Sequence, residues 1–162
     1  MKLNESPEKN IRPTKAIVRK SIFQRLEPWI DKEVCDLYAG IGTLGIEALS
    51  RGAAHVTFIE NNTRALAVLD KNLEQICARG RYTVTKMEAR SFLASTDRQY
   101  DVVLADPPYH TVAWAELQGA VDRILVPGGA FVMEMPKNAA IPDELDVRIF
   151  GKTKVGLWRK KT

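Results

Sequence analysis

The segment Asp106-Pro107-Pro108-Tyr109 contains the residue types in this sequence that are best suited to chemistry. Because proline has no N–H, the segment presents carbonyl oxygens and the Asp106 carboxylate rather than donors. A substrate that donates hydrogen bonds, such as an aromatic amine, fits such a loop. If Asp106 and the Pro107 carbonyl each accept one amine hydrogen, the nitrogen lone pair leaves conjugation and becomes nucleophilic. Asp106 and Pro107 are therefore catalytic candidates.

The residues after Pro107 are suited to an aromatic substrate. Tyr109 is expected to stack on a base, a contact worth about 1–3 kcal/mol, and is a catalytic candidate for that reason. Pro108 and His110 are expected to touch the same substrate. A base inside a double helix cannot reach such a loop, so the target must be unpaired or flipped out. The alternative is that Asp-Pro-Pro only forms a turn at the end of a strand.

A glycine-rich loop precedes this segment in the chain. Gly40, Gly42 and Gly45 have the GxGxxG spacing between a predicted strand and a predicted helix, which favours a nucleotide-type ligand. Dinucleotides place a pyrophosphate at such a helix N-terminus, and Asp36 would repel it. The ammonium group of S-adenosylmethionine (SAM) would instead pair with Asp36. The loop, including Tyr38, predicts SAM rather than NAD; the alternative is a glycine turn that only packs the helix on the strand.

Two further strand ends complete a predicted cofactor site. Glu60 ends the second strand and is placed to accept hydrogen bonds from ribose hydroxyls, with Asn61 beside it. Glu88 and Ala89 follow the third strand, where a carboxylate and a backbone N–H would meet the adenine. Asp106 borders the same ligand from the fourth strand. The ribose contact fits NAD equally well, and a solvated Glu88 is the alternative for the adenine contact.

The periodicity of apolar residues places these segments at strand ends. Strands alternate with helices, which predicts an α/β fold: a Rossmann-like, doubly wound, mainly parallel seven-stranded sheet ending in an antiparallel hairpin. Ligands bind at the carboxyl ends of such strands. The first helix carries an apolar stripe of Val18, Ile22, Leu26 and Trp29. Helices are predicted over 14–30, from the glycine loop to 50, from 62 to before 80, and over 112–125; strands are predicted over 33–37, 55–59, 82–87, 100–105, 130–135, 145–150 and 154–159.

Basic residues are concentrated at the two ends of the chain. Residues 1–25 hold seven Lys/Arg and two acids, and residues 148–162 hold six Lys/Arg and no acid. The ends therefore carry +11, and the middle of the chain carries −7. A basic face for a polyanion such as RNA is one interpretation, and solvated tails are the other.

The first helix makes the RNA interpretation specific. Lys15 and Arg19 share a helical face with residues of the apolar stripe, because positions seven apart nearly coincide. Burying an unpaired Lys or Arg is costly, so the start of the helix should overhang the cleft. There Arg12, Lys15 and Arg19 would meet RNA phosphates. The alternative is that Arg19 pairs with a cleft acid and only anchors the helix.

The remaining sequence features limit the classes of protein to which the chain can belong. Cys35 and Cys77 are far apart, and neither His55 nor His110 has a partner at ligand spacing, so we expect free thiols and no metal site. No apolar run approaches the roughly 20 residues of a membrane span, and the N-terminus lacks a signal-peptide core. We expect a cytoplasmic protein, monomeric by default, with one methyltransferase domain over 1–162, of which 1–13 form a short basic extension.

The tetrad after a glycine-rich loop resembles the (D/N)PP(Y/F/W) arrangement of class I SAM-dependent amino-methyltransferases. Further segments resemble the RsmD family. Its RPT…VRE(T/A)LF opening is similar to 12–14 and 18–23, its DLFAGSG to 36–42, its EALSRGA to 47–53, and its YGxT…L hairpin to 150–157. The resemblance covers nearly the whole chain from residue 11. Lys20 stands where the family has an acid, Glu88 stands where Asn or Asp is common, and the ten residues before Ile11 do not match the family's basic hairpin.

The resemblance implies methylation of N2 of a guanine in 16S rRNA, guanine 966, within assembled small ribosomal subunits and with SAM as cofactor. It gives Asp106 and Tyr109 the catalytic and stacking roles. Three alternatives stay open: a DNA adenine-N6 or cytosine-N4 methyltransferase, a methyltransferase of glutamine side chains, and a non-catalytic RNA-binding module of the same fold. The intact tetrad argues against the module, because binding alone does not require it.

Overall fold

The computed structural model describes the backbone of residues 13–76, 78–108 and 112–162, and the side chains in those ranges from residue 15 onward. The helices in these ranges are α1 (Pro13–Arg25), α2 (Thr43–Ser50), α3 (Thr63–Glu74), α4 (Ala89–Ser95) and α5 (Trp114–Ile124). The strands are β1 (Glu33–Leu37), β2 (His55–Glu60), β3 (Tyr82–Lys86), β4 (Tyr100–Ala105), β5 (Leu125–Pro136), β6 (Asp146–Phe150) and β7 (Thr153–Arg159).

The seven strands form one sheet in the order β3-β2-β1-β4-β5-β7-β6. The first five strands of that order are parallel, and β7 is antiparallel to both β5 and β6. The predicted mainly parallel sheet with a closing antiparallel hairpin is confirmed. The strand order reverses between β1 and β4, where Leu37 pairs with Ala105. Ligands of open α/β sheets bind outside the carboxyl ends of the strands at such a reversal.

Helices cover both faces of the sheet. Successive strand residues point to opposite sides, so each central strand contributes to a core on each face. In β1, Val34 joins the core under α1, α2 and α3, whereas Cys35 and Leu37 join the core under α4 and α5. The same alternation runs along β4, with Leu104 in the first core and Val103 in the second. The doubly wound arrangement follows from apolar residues at both parities of the central strands.

The end of α1 differs from the sequence-based expectation. The helix was expected to reach residue 30 and ends at Arg25. Pro28 explains the difference, since proline cannot donate to the helix and disfavours helical backbone in the residue before it. The apolar stripe is nevertheless buried as predicted. Trp29 achieves this from outside the helix: its indole N–H donates to the Phe23 carbonyl at 2.9 Å, and the two ring centroids lie 4.5 Å apart.

Two further elements differ from the sequence-based expectation. Helix α4 was not predicted, because seven residues are too few to show a helical period. Strand β5 begins at Leu125 rather than 130 and so contains the Pro-Gly-Gly segment that was expected to precede it.

The residues predicted at two helix ends are found there. Asn62 caps α3 through a hydrogen bond from the Ala65 N–H, and Gly52 follows α2 with a φ of 102°.

Several residues considered for other roles are part of the core or of its edge. Cys35 is buried, and burial raises the pKa of its thiol, as expected for an inert cysteine; Cys77 lies outside the described residues. Trp114 is buried and stacks on Phe131 at 4.7 Å. Among the described residues there is no group of His, Cys, Asp and Glu able to hold a metal ion. None of the described helices has the length and apolar character that crossing a membrane requires.

Candidate active site

Four carboxyl side chains come together at the carboxyl ends of four neighbouring strands. They are Glu60 at the end of β2, Asp36 in β1, Asp106 directly after β4, and Glu134 in β5. Side chains alternate between the two faces along a strand, and each of these four lies an even number of residues from one that joins the core under α1, α2 and α3. All four therefore lie on the same face of the sheet. These residues are called the carboxylate row below. Three of them were predicted from the sequence as site residues, and Glu134 was not.

Asp36 is the most enclosed member of the row, with 1% of its surface exposed. Its Oδ2 atom accepts a hydrogen bond from the Gly45 N–H at 3.0 Å. Burial, together with the charges of Asp106 and Glu60, raises the pKa of Asp36 to about 8 against the effect of that hydrogen bond. A buried carboxyl with a raised pKa favours a ligand that brings positive charge, because such a ligand would stabilise its ionised form.

Glu60 ties the end of β2 to the glycine-rich loop after β1. Its Oε1 atom accepts from the Gly40 N–H at 2.7 Å, and its Oε2 atom accepts from the N–H groups of Asn61 and Asn62 at 2.9 and 2.8 Å. Three backbone donors therefore fix the orientation of this carboxylate. A carboxylate has about four lone-pair positions, so it retains capacity for a further donor such as a ribose hydroxyl.

The three glycines of the loop have different physical roles. Gly40 has a φ of 58°, and a Cβ at this position would meet nothing within 4 Å, so its backbone borders open space. At Gly42, with a φ of 92°, a Cβ would lie 2.3 Å from Leu69. At Gly45 it would lie 2.3 Å from Phe58. Close approach of a ligand to the backbone is therefore available at Gly40, while the other two glycines permit packing within the protein.

A cavity of about 370 Å³ lies beside the carboxylate row, in the size range of small-ligand sites. Its wall includes Tyr38, whose backbone is left-handed with a φ of 55°. Residues predicted for a cofactor from three separate loops meet in this wall, together with one residue predicted to touch the substrate. The lining residues are Tyr38, Ile59, Glu60, Asn61, Asn62, Met87, Glu88, Ala89 and Pro108.

Glu88 is held by the helix that follows it. Its carboxylate accepts from the Ser91 N–H at 2.8 Å and so caps the N-terminus of α4. Burial raises the pKa of Glu88, but hydrogen bonds from the backbone of Ser91 and Arg90 outweigh that effect and lower it overall. The carboxylate is thus a fixed anionic acceptor at the cavity wall. Its predicted contact with an adenine stays a prediction.

Helix α1 overhangs the strand ends, as the basic stripe predicted. Lys15 Nζ lies 3.2 Å from Asp106 Oδ2, and the two side chains are 43% and 34% exposed. The Arg19 Nε atom instead lies 3.8 Å from Glu47 Oε1 on α2, which is the anchoring alternative for Arg19. Contact of Lys15 or Arg19 with RNA stays a prediction, and Arg12 lies outside the described residues.

Glu134 is the member of the row that the sequence analysis missed. It is 6% exposed in the middle of a buried strand. Burial and contact with Asp106 raise the pKa of Glu134 to about 8, while the charge of Lys15 lowers it. The signal in the sequence is the acid itself: Glu is almost never fully buried without a partner, and Phe131 to Met135 is otherwise apolar.

The segment predicted to be catalytic, residues 106–109, lies only partly within the described residues. Pro107 is buried, while Pro108 is exposed and borders the cavity. Tyr109 and His110 lie outside the described residues, so their predicted stacking and substrate contacts stay predictions. The Tyr38 hydroxyl is buried and has no hydrogen-bond partner among the described residues, and burial raises its pKa.

Comparison with known proteins adds a family to this geometry. The family model described as "Conserved hypothetical protein 95" matches residues 1–158. Ribosomal RNA small subunit methyltransferase D of Escherichia coli is 42% identical over 100 residues, which cover 61% of this chain and 50% of that protein. YlbH of Bacillus subtilis is 30% identical over 162 residues, which cover 93% of this chain and 88% of that protein.

Solved structures share the fold over most of this chain. The structure of yhhF from Escherichia coli has a TM-score of 0.83 at 29% identity, covering 98% of this chain and 91% of that chain. With several of the curated relatives the match is shorter: this chain spans about half their length.

Proposed function

The chain belongs to the conserved hypothetical protein 95 family, which is the RsmD family, and on that premise we propose that it is a SAM-dependent methyltransferase acting on ribosomal RNA. The proposed target is an exocyclic amine, N2 of a guanine in the RNA of the small ribosomal subunit. The carboxylate row carries the proposal, because it joins the predicted cofactor acids to the predicted catalytic acid on one face of the sheet.

The charge of the row favours SAM over a dinucleotide. Burial and the charges of Asp106 and Glu60 raise the pKa of Asp36 to about 8, so a cation beside Asp36 would favour its ionised form. A pyrophosphate at this position would be repelled by Glu60 and would further disfavour the ionised form of Asp36. The sulfonium and ammonium groups of SAM would be attracted, and the enclosed position of Asp36 strengthens that attraction. The residues present therefore fit SAM.

The residues assigned to SAM line the cavity, except Asp36 in the carboxylate row and Gly40 in the glycine-rich loop. Asp36 would hold the ammonium group, Glu60 and Asn61 the ribose hydroxyls, and Glu88 and Ala89 the adenine. Gly40 would let the ligand approach the loop backbone. When bound, SAM supplies an electrophilic methyl group. The chain's own contribution is to fix these acceptors before binding, through backbone N–H groups at three of the acids.

Asp106 and the Pro107 carbonyl would accept the two hydrogens of the target amine. This pulls the nitrogen toward tetrahedral geometry and directs its lone pair at the methyl group. Lys15 now occupies the Oδ2 side of Asp106, so the amine would take the place of the Lys15 ammonium. Displaced from Asp106, Lys15 would be available to an RNA phosphate.

The RNA target is supported by charge and by relatives. The basic ends of the chain supply the charge that a polyanion requires. Relatives with 33–42% identity are named ribosomal RNA small subunit methyltransferase D. An assembled small subunit as substrate, a cytoplasmic location and a monomeric state belong to the same proposal.

Two measurements test the proposed function. Calorimetry with SAM and with NAD should give binding of SAM alone; tight NAD binding without SAM binding would contradict the cofactor assignment. Methyl transfer from labelled SAM should then be compared between small-subunit particles, their free RNA and duplex DNA. Transfer to DNA in preference to both RNA substrates would support the DNA methyltransferase instead.

A further inference from the structure

Glu134 and Asp106 form a contact that the proposed methyl transfer does not by itself require. Ala105 pairs with Met133 in the parallel register of β4 and β5, so the next residues, Asp106 and Glu134, lie side by side on the same face. The register brings their carboxyl groups close enough for a hydrogen bond, and contact with Asp106 raises the pKa of Glu134. A hydrogen bond between two carboxyl groups requires a proton on one of them, because an ionised carboxylate has no donor.

Burial decides which of the two carboxyls holds that proton. Glu134 is 6% exposed, whereas the Asp106 side chain is 34% exposed. The more buried acid loses more hydration on ionising and therefore keeps the proton. The Lys15 ammonium, 3.2 Å from Asp106 Oδ2, favours the charge on Asp106.

We propose that Glu134 is a positioning residue, which stays protonated at neutral pH and donates a hydrogen bond to Asp106. One oxygen of Asp106 is then held by Glu134, and Oδ2 is directed toward Lys15 and, in the proposed function on which this inference rests, toward the target amine. The pair carries a single negative charge. Asp106 is thereby kept ionised, as an acceptor of the amine hydrogen must be.

The surroundings of Glu134 agree with a neutral acid. Among the residues that the structure describes, the charged groups that face it are Asp106 after β4, Asp36 in β1 and Lys15 on α1, and β7 presents the apolar Val155 opposite it. Two of the three charged groups are acids, and Lys15 lies against Asp106. The resulting pKa of Glu134, about 8, means that the proton is lost when the pH rises through that value. Both carboxyls of the pair are then ionised, and Asp106 loses its donor.

The first test is direct titration, which does not depend on any enzymatic activity. Carbon-13 NMR of labelled Glu side chains should show one carboxyl that titrates near pH 8 and that is absent from the Glu134→Gln protein. Removing Lys15 with Lys15→Ala should raise that pKa, because a favourable cation is lost. A Glu134 signal that titrates near the ordinary value of 4.5 would overturn the inference even if methyl transfer is confirmed.

The second test is the pH profile of methyl transfer. In the wild-type protein the rate should fall above pH 8; in Glu134→Gln, whose amide donates at every pH, that fall should be absent. Glu134→Ala should lower the rate at all pH values, because Asp106 loses its donor. Glu33→Gln, at the opposite end of β1, is the matched control and should keep the wild-type profile. A Glu134→Gln profile that falls like the wild type would also overturn the inference.

Discussion

The two halves of the carboxylate row are held in different ways. Asp36 and Glu60, on the side of the cavity, accept hydrogen bonds from backbone N–H groups. Asp106 and Glu134, on the side of the predicted catalytic segment, interact with side chains: Lys15 lies 3.2 Å from Asp106, and contact with Asp106 raises the pKa of Glu134. Backbone donors fix an acid permanently, whereas side-chain partners can be exchanged. In the proposed function, the cavity side is therefore built before SAM arrives, and Asp106 would exchange Lys15 for the target amine.

The largest expected effect comes from the catalytic side. Asp106→Ala should lower the methyl-transfer rate by about 10²–10⁴-fold, the usual range for a positioned acid–base group, because the amine loses its acceptor. SAM affinity, measured by calorimetry, should change little by comparison. Asp97→Ala, an exposed acid before β4, is the control and should leave both quantities unchanged. A fully active Asp106→Ala protein would remove the proposed mechanism.

The next effect concerns the cavity side. Asp36→Asn removes the charge and keeps an oxygen that can accept from the Gly45 N–H. It should weaken SAM binding by about 1.5–3 kcal/mol, the range for hydrogen bonds to charged groups. Calorimetry measures the affinity, and thermal unfolding of the same samples verifies that the fold is intact. Unchanged SAM affinity in a folded Asp36→Asn protein would exclude Asp36 as the ammonium partner.

A pH dependence of cofactor binding follows from the raised pKa of Asp36. Free Asp36 is largely protonated below pH 8, and a bound ammonium group would favour its ionised form and lower its pKa. SAM binding should therefore release protons at pH 7, and affinity should rise with pH up to about 8 and level off above it. Calorimetry in buffers of different ionisation enthalpy counts these protons. If proton release in Asp36→Asn equals that of the wild type, Asp36 is not the group that titrates.

The smallest effects separate two neighbouring cations on α1. Lys15→Ala should reduce the salt dependence of RNA binding, with a log–log slope smaller by about one. Arg19→Ala should leave that slope unchanged and lower the free energy of unfolding by up to about 1 kcal/mol, because Arg19 pairs with Glu47 at a partly exposed position. The reverse assignment, a changed slope only in Arg19→Ala, would make Arg19 the RNA contact.

The sequence was sufficient to predict the sheet and most of the carboxylate row, because those features depend on local signals. Asp36, Glu60 and Asp106 stand at strand ends, Asp36 before the glycine-rich loop and Asp106 before two prolines, and buried strands are visible as apolar runs. The early end of α1 was also readable from Pro28, although the apolar stripe continuing to Trp29 obscured it. Helix α4 was missed because its seven residues are too few to show a period.

The contacts among Asp106, Glu134 and Lys15 could not be predicted from local sequence signals. Glu134 and Asp106 become neighbours only through the register of β4 and β5, and Lys15 reaches Asp106 only because α1 packs across the strand ends. Distances of this kind depend on tertiary packing. The division of the row into backbone-held and side-chain-held acids therefore required the structure.

The most direct test of the account is to map the methyl group transferred to small-subunit ribosomal RNA. Purified protein, SAM and undermethylated small subunits should yield a guanine methylated at N2, at guanine 966 if the family resemblance extends to the target. The same reaction with Asp106→Ala should leave that nucleotide unmodified. A methyl group on a ribose or on a base carbon, or equal modification by the Asp106→Ala protein, would contradict the account.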